Sequence, residues 1–289
     1  MITREMVIAE LQKKGYQVQA RNKVKNGVTV EGVEIKKDEN VGVFISLRDL
    51  IPELEEEYIS IYDKHMRMPE VIGQIERLYA NADGPKICME DLKNRDFILS
   101  HINIALQKKG TQDLIKKPCP YFGGTEQYLY LTQPNGTEGH YFMEVSSELL
   151  KEAGVSEEEA WKFAEKNLHE NVVLENMTEV LKKAAGAGME FLFEDDESYI
   201  PMYVISNKNS AYGAASVLDD EILAEFAVKH HTDSLLLLPS SIHEVLIVPN
   251  TEDYEIDEMR CLVMSVNASD VAPHEQLSDE PYLWKMKNR

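Results

Sequence analysis

Charged and apolar residues alternate at helical spacing from Thr3 to Lys13, which predicts a short amphipathic helix. Thr3 suits its N-cap, Ile2 and Val7 suit a hydrophobic staple, and Gly15 suits a left-handed close. A strand through Tyr16, Val18 and Ala20 then meets Asn26-Gly27, a strong hairpin signal because both central positions of a type I′ turn need positive φ. Val28, Val30, Val33 and Ile35 continue as the return strand, and Val41–Ile45 is a further apolar run. The alternation slips at Glu31-Gly32, which a β-bulge would explain. Residues Leu47–Ala82 read as helical with a break near Met68-Pro69, and the acidic run Glu53–Glu57 is expected on a solvated helix face. Phe97–Ala105 fits two patterns. Ile98, Ile102 and Ile104 keep period two while the length also suits a helix, and a strand is the reading adopted.

The second part of the chain is richer in regular patterns. Gly110–Gly124, centred on Lys116–Pro120, reads as a hinge or linker. Tyr128–Leu131, a turn at Pro134-Asn135-Gly136, and His140–Val145 form a predicted hairpin, followed by a helix from Ser147 to Gly154. Ser156–Glu159 matches the S-x-x-E capping box and opens a helix lined by Ala160, Phe163, Ala164 and Leu168. Met202–Ile205, a polar turn Ser206–Gly213 and Ala214–Leu218 predict a second hairpin, with Asp219 or Asp220 capping a helix that carries Ile222, Leu223, Phe226 and Ala227. Leu235–Leu238 is a continuous apolar run, as a strand covered on both faces requires, and Ile242–Val248 follows it. A last helix presents Met259, Leu262, Val263 and Val266, and the irregular stretch to Trp284 carries apolar anchors that suggest it docks on the body or on a second subunit, so that an oligomer is also open. The unit at Tyr128–Leu150 resembles that at Met202–Ala224. This is either an internal duplication or the recurrence of a common hairpin–helix unit. The whole predicts an α/β (α+β) protein with antiparallel or mixed sheets and flanking helices. Its expected modules are residues 1–115 and a larger body over 116–289.

Composition narrows the class. Of 289 residues, 43% are hydrophobic and 28% charged, the balance of a folded globular chain. The net charge is −21, and it is uneven: residues 1–150 hold 23 acidic and 19 basic side chains, residues 151–289 hold 28 and 11. A surface this acidic repels phosphate backbones, so ordinary nucleic-acid binding is not expected. Its plainest use is solubility, and its sharper one is a face for a basic partner or the mimicry of a nucleic acid. No apolar run has the roughly 18–20 residues that span a bilayer, and the N-terminal pattern is not a signal peptide's. Three distant cysteines (Cys88, Cys119, Cys261) fit reduced thiols, and a cytoplasmic location is expected.

Candidate chemistry is sparse. Ser240, Ser241, His243 and Glu244 invite a hydrolase reading, but residues i and i+2 of a strand sit about 6.6–6.8 Å apart, beyond hydrogen-bond reach. Glu244 points to the opposite face, and no G-x-S-x-G elbow occurs. His230-His231 diverge by about 100° on a helix, and no zinc-ligand spacing accompanies them. Cys119 lies between two prolines near Lys116 and Lys117, which would lower its thiol pKa only weakly. Neither phosphate-loop pattern is present. Asn207, Lys208 and Asn209 occupy a loop between strands, where ligand contacts and left-handed turn geometry both favour asparagine. The candidate ligand-binding residues are therefore Asn207, Asn209, Ser241 and His243, with no catalytic, cofactor or metal assignment.

The segments MYVISNKNSAYGAASVLDDEILAEFA, LLLLPSSIHEVLIVP and VNASDVAPHEQLSDEPYLW, with NGVTVEGVEI and EVSSELLKEAGVSEEEAWKFAEKNL upstream, resemble an uncharacterised clostridial family, domain of unknown function 5688. A more distant likeness, in the GVTVE strand and near GVSEEE, is to domain of unknown function 1444. The resemblance implies one architecture over most of the chain and no activity. The expected function is a non-catalytic, cytosolic, acidic binding or interaction protein that takes a protein partner or a small molecule. The rival is a hydrolase-type enzyme whose site is assembled from separate segments.

Overall fold

A computed structural model describes residues 2–37, 42–48, 50–51, 67–82, 88–110, 114–135, 139–185, 200–239, 241–251 and 254–287. The acidic run Glu53–Glu57 and Ser240 lie outside the described residues. The chain divides into two compact units, Met1–Lys86 and Ile87–Arg289.

In the first unit, α1 (Arg4–Lys13) starts where the Thr3 hydroxyl accepts the Met6 N–H, and it buries Val7 and Leu11 with Ile2 packed beside them. Asn26 (φ 51°) and Gly27 (φ 79°) reverse β1 (Val18–Lys25) into β2 (Val28–Lys36), as the Asn-Gly pair predicts. β3 (Gly42–Ser46) completes an antiparallel sheet of order β1-β2-β3. α2 (Met68–Asn81) carries Pro69 in its first turn, where the missing N–H would be unpaired anyway, and buries Val71, Ile72 and Ile75 against Val33, Ile35 and Ile45. The expected bulge at Glu31-Gly32 is not formed, because β1 and β2 pair without interruption from Val18–Ile35 to Lys25–Val28. The pattern slips for another reason. A Cβ on Gly32 would lie 2.6 Å from the Phe44 ring, so the missing side chain leaves room for that ring.

The second unit is built on two antiparallel sheets that share one core. After α3 (Arg95–His101), β4 (Ile102–Lys108) pairs with the long β6 (Thr125–Asn135), which also pairs with β5 (Lys116–Pro118) and β7 (Gly139–Glu144). α4 (Ser147–Glu152) and α5 (Glu157–Asn171) follow, each opened by a serine, Ser146 and Ser156, that accepts a backbone N–H three residues on. Beyond them come β8 (Val172–Asn176), α6 (Met177–Ala185) and β9 (Tyr203–Asn207), then a 3₁₀ helix (Gly213–Leu218) and α7 (Asp220–Lys229). β10 (Ser234–Leu238), β11 (Val245–Pro249), α8 (Ile256–Ser269) and β12 (Tyr282–Lys285) complete the unit, and the second sheet runs β12-β10-β11-β9-β8. β10 is covered on both faces as its sequence requires. Leu235 and Leu237 enter the shared core, while Leu236 and Leu238 meet Met259 and Val263 of α8. The irregular tail is docked too, through β12 on β10 and the buried Leu277 and Trp284. The fold is thus α+β with antiparallel sheets. Among the described residues no helix is long and apolar enough to cross a membrane.

The compact units divide at Lys86/Ile87, and β4 pairs with β6 across residue 115. Three expectations are corrected. The centre of Gly110–Gly124 is no hinge or linker, since Lys116–Pro118 pairs with Tyr128–Glu126. Phe97–Ala105 is half helix and half strand, joined where Asn167 of α5 donates from Nδ2 to both Leu99 O (2.9 Å) and Ile102 O (2.8 Å). Ala214–Leu218 is not a strand. Tyr212 takes a left-handed backbone (φ 55°) and Gly213 packs so closely that a Cβ would sit 2.2 Å from Ser206 Oγ and 2.7 Å from His243 O. β9 therefore pairs with β8 and β11 instead of forming a hairpin, and the duplicated hairpin–helix unit is absent at the level of elements.

Candidate functional site

The four sequence candidates are close together but bound up in the fold. Asn207 ends β9, and its Oδ1 accepts the Asn209 N–H (3.0 Å) while its Nδ2 donates to Ala211 O (2.9 Å). These bonds close the loop that carries Asn209, so turn chemistry occupies the Asn207 amide. Ser241 Oγ accepts the His243 N–H (3.0 Å) instead of meeting its ring. The His243 ring accepts the Tyr212 N–H at Nδ1 (3.1 Å), which leaves its proton on Nε2, 3.4 Å from Glu275 Oε1. The carboxylate facing His243 is thus Glu275, whereas Glu244 is exposed. Among the described residues neither ring nitrogen is directed at a serine, as a nucleophile–base pair requires.

The other flagged residues are also occupied. The His230 ring packs 4.3 Å from Phe226 and 4.8 Å from Tyr203, centroid to centroid, and burial pushes its pKa down. His231 ends α7 with φ 55°. Among the described residues no group of three or more histidine, cysteine or carboxylate side chains is placed to hold a metal. Lys116 is drawn to Glu126 and Gly110 O, and Lys117 lies 4.1 Å over the Trp161 ring, so both lysines near Cys119 have other partners.

A different place has the form of a binding site. An open cleft of about 470 Å³ lies over the N-terminal end of α7. Pro120 and Tyr121 precede β6, Gln127 lies on it, and Glu165, Leu168 and His169 come from one face of α5. Leu218, Asp219, Asp220 and Glu221 come from the start of α7, Ile104 from β4, and Lys287 from beyond β12. Asp219 is the N-cap: its Oδ1 accepts the N–H groups of Glu221 (3.1 Å) and Ile222 (3.0 Å). Its Oδ2 lies 2.7 Å from His169 Nδ1, and that hydrogen bond raises the histidine's pKa, helped by the nearby charge of Asp219. Asp220 Oδ1 accepts from the Tyr121 hydroxyl (2.5 Å) and from Trp284 Nε1 (2.9 Å), and its Oδ2 from Lys287 Nζ (2.8 Å). Burial pushes the Asp220 pKa up, but the hydrogen bonds from Lys287, Tyr121 and Trp284 outweigh it and hold it below the usual value. Burial, with the Asp220 hydrogen bond second, drives the Tyr121 hydroxyl well above its ordinary value.

Asp220 is therefore an anion and Tyr121 a neutral donor at neutral pH, and neither is poised for proton transfer. No lining residue is a serine, threonine or cysteine. The carboxylates of Glu165 and Glu221 are exposed, and neither makes a hydrogen bond or close ion pair with a described residue. The charge bias also becomes sharper with the observed division: residues 1–86 hold 15 acidic and 13 basic side chains, and residues 87–289 hold 36 and 17. The sequence shows Asp219 and Asp220 only as capping residues. Nothing local reveals that Tyr121, His169, Trp284 and Lys287 converge on them from 50 to 99 positions away.

No curated protein and no solved structure matches the chain. A family model does, over residues 3–286, and on that match the chain belongs to the Family of unknown function (DUF5688).

Proposed function

We propose that the chain is a non-catalytic binding protein of the cytoplasm whose cleft at the start of α7 receives a positively charged group of its partner. One observation carries the reading. Around the cleft, Asp219, Asp220, His169, Tyr121, Gln127 and Lys287 all have hydrogen-bond partners within the fold, while among the described residues the exposed Glu165 and Glu221 side chains that line it have none, Glu221 acting on His169 through its charge alone. They do so in the unit that carries nearly all of the negative charge, a field that draws cations in. Three free thiols support the cytoplasmic placement.

The test is a calorimetric titration with a tetra-lysine peptide at low and moderate salt. Binding that weakens with salt is expected. Each exposed ion pair contributes about 0.2–1 kcal/mol, so the Glu165→Gln/Glu221→Gln double variant is expected to bind roughly twofold to thirtyfold more weakly. Glu148→Gln/Glu152→Gln on α4, outside the cleft, removes the same charge as a control. Equal affinity in the two double variants would overturn the proposal.

A further inference from the structure

We infer that the group this cleft takes is an unbranched alkylammonium, as on a lysine side chain, and that Lys287 is a built-in occupant it must displace. The inference deepens the reading above and rests on it. Leu218, with the small exposed parts of Ile104 and Leu168, gives the cleft some apolar surface beside its carboxylates. That combination suits a cation on a methylene stem, which lays its stem on apolar surface and keeps its head at the polar edge.

The head group follows from how Asp220 is used. Its Oδ1 is filled by two donors, Tyr121 and Trp284, and only Oδ2 faces the exposed partner, Lys287. A single available oxygen accepts a point donor such as an ammonium. It denies a guanidinium the two-oxygen fork that makes arginine–carboxylate pairs strong. The two sides of the Asp220–Lys287 pair are also unequal. The carboxylate is fixed by a tyrosine, a tryptophan and the helix start, whereas the Lys287 side chain is 85% exposed. An ion pair held in water is weak and readily exchanged. The strap that brings Lys287 there is firmly placed: β12 pairs with β10, and the Met286 N–H donates to Asp233 O (2.8 Å). The chain therefore holds a weak competitor permanently beside its own site, where tethering gives it a high effective concentration.

The experiment titrates the full chain with tetra-lysine, tetra-arginine and spermidine, following tryptophan fluorescence, since Trp284 bonds to the same carboxylate. Tetra-lysine is expected to bind more tightly than tetra-arginine. Lys287→Gln, an exposed change that a thermal melt checks for folding, is expected to tighten tetra-lysine binding roughly twofold to fivefold. Lys151→Gln on α4 removes one positive charge away from the cleft and is expected to change it less. Spermidine binding above tetra-lysine would assign the ammonium to a free polyamine, and the reverse order to a lysine within a chain. Preference for tetra-arginine, or a Lys287→Gln effect no larger than that of Lys151→Gln, would overturn the inference. If the Glu165/Glu221 variant still weakens binding in that case, the cleft reading stands and only the strap falls. If no variant binds any probe, both fall.

Discussion

Asp219 does two jobs with one buried carboxylate, and a conservative change separates them. Asparagine is as good an N-cap as aspartate, so Asp219→Asn keeps the bonds to the Glu221 and Ile222 N–H groups and removes the charge opposite His169. The His169 pKa is raised above its ordinary 6.5 in the folded chain. A raised folded value means that the stabilisation is full below about 6.5 and is lost as pH rises through the folded pKa. Ring-proton NMR is expected to show His169 titrating above 6.5 in the natural chain and closer to 6.5 in Asp219→Asn; identical midpoints would refute the coupling. Gly213 is the second informative residue. Alanine there would drive a Cβ into Ser206 Oγ and two backbone atoms, so Gly213→Ala is expected to cost about 1–3 kcal/mol in chemical denaturation. A neutral result would show that the 3₁₀ turn shifts easily. That contact explains why a polar turn and an apolar run, read along the chain as a hairpin, fold as a left-handed residue and a 3₁₀ helix. Part of the obstacle comes from His243, thirty residues on, and no local pattern contains it.

At the level of elements, what local chemistry decides was legible. Asn26-Gly27 placed the first hairpin, Thr3 and Ser156 the starts of α1 and α5, and the four leucines of Leu235–Leu238 a strand buried on both faces. Elements decided by tertiary contacts were not. The helix-to-strand switch at His101/Ile102 sits under Asn167 of α5, and Lys116–Pro118 looks like linker until β6 pairs with it. The candidate site follows the same rule. Its cap was readable from Asp219 and Asp220, but its other walls arrive from five distant segments. β12 is the element that fastens this arrangement, because Trp284 is almost wholly buried and its indole N–H reaches Asp220. Trp284→Ala is expected to destabilise the second unit by about 3–5 kcal/mol. It is also expected to raise amide exchange in β10, which β12 covers on one edge. Loss of stability without faster exchange in β10 would mean that the strand pairs independently of its tryptophan.

At the scale of the whole molecule, the two units differ in charge more than in architecture. The first is nearly balanced, and the second carries an excess of nineteen carboxylates over basic side chains. Like charges confined to one compact body repel, and they do so over about 30 Å at 10 mM salt but only about 8 Å at 150 mM. Ion pairs respond in the opposite sense, yet those of the second unit are mostly exposed and individually weak, so relief of repulsion is the larger effect. Both tryptophans, Trp161 and Trp284, belong to the second unit, so tryptophan fluorescence follows its unfolding alone. The fluorescence-detected Tm is expected to rise as sodium chloride increases from about 10 to about 150 mM. A tetra-lysine peptide at low salt is expected to raise it further by binding the folded form. A Tm that fell with salt would mean that the ion pairs outweigh the repulsion, and the acidity of this unit would then be a stabilising network rather than a field directed at a partner.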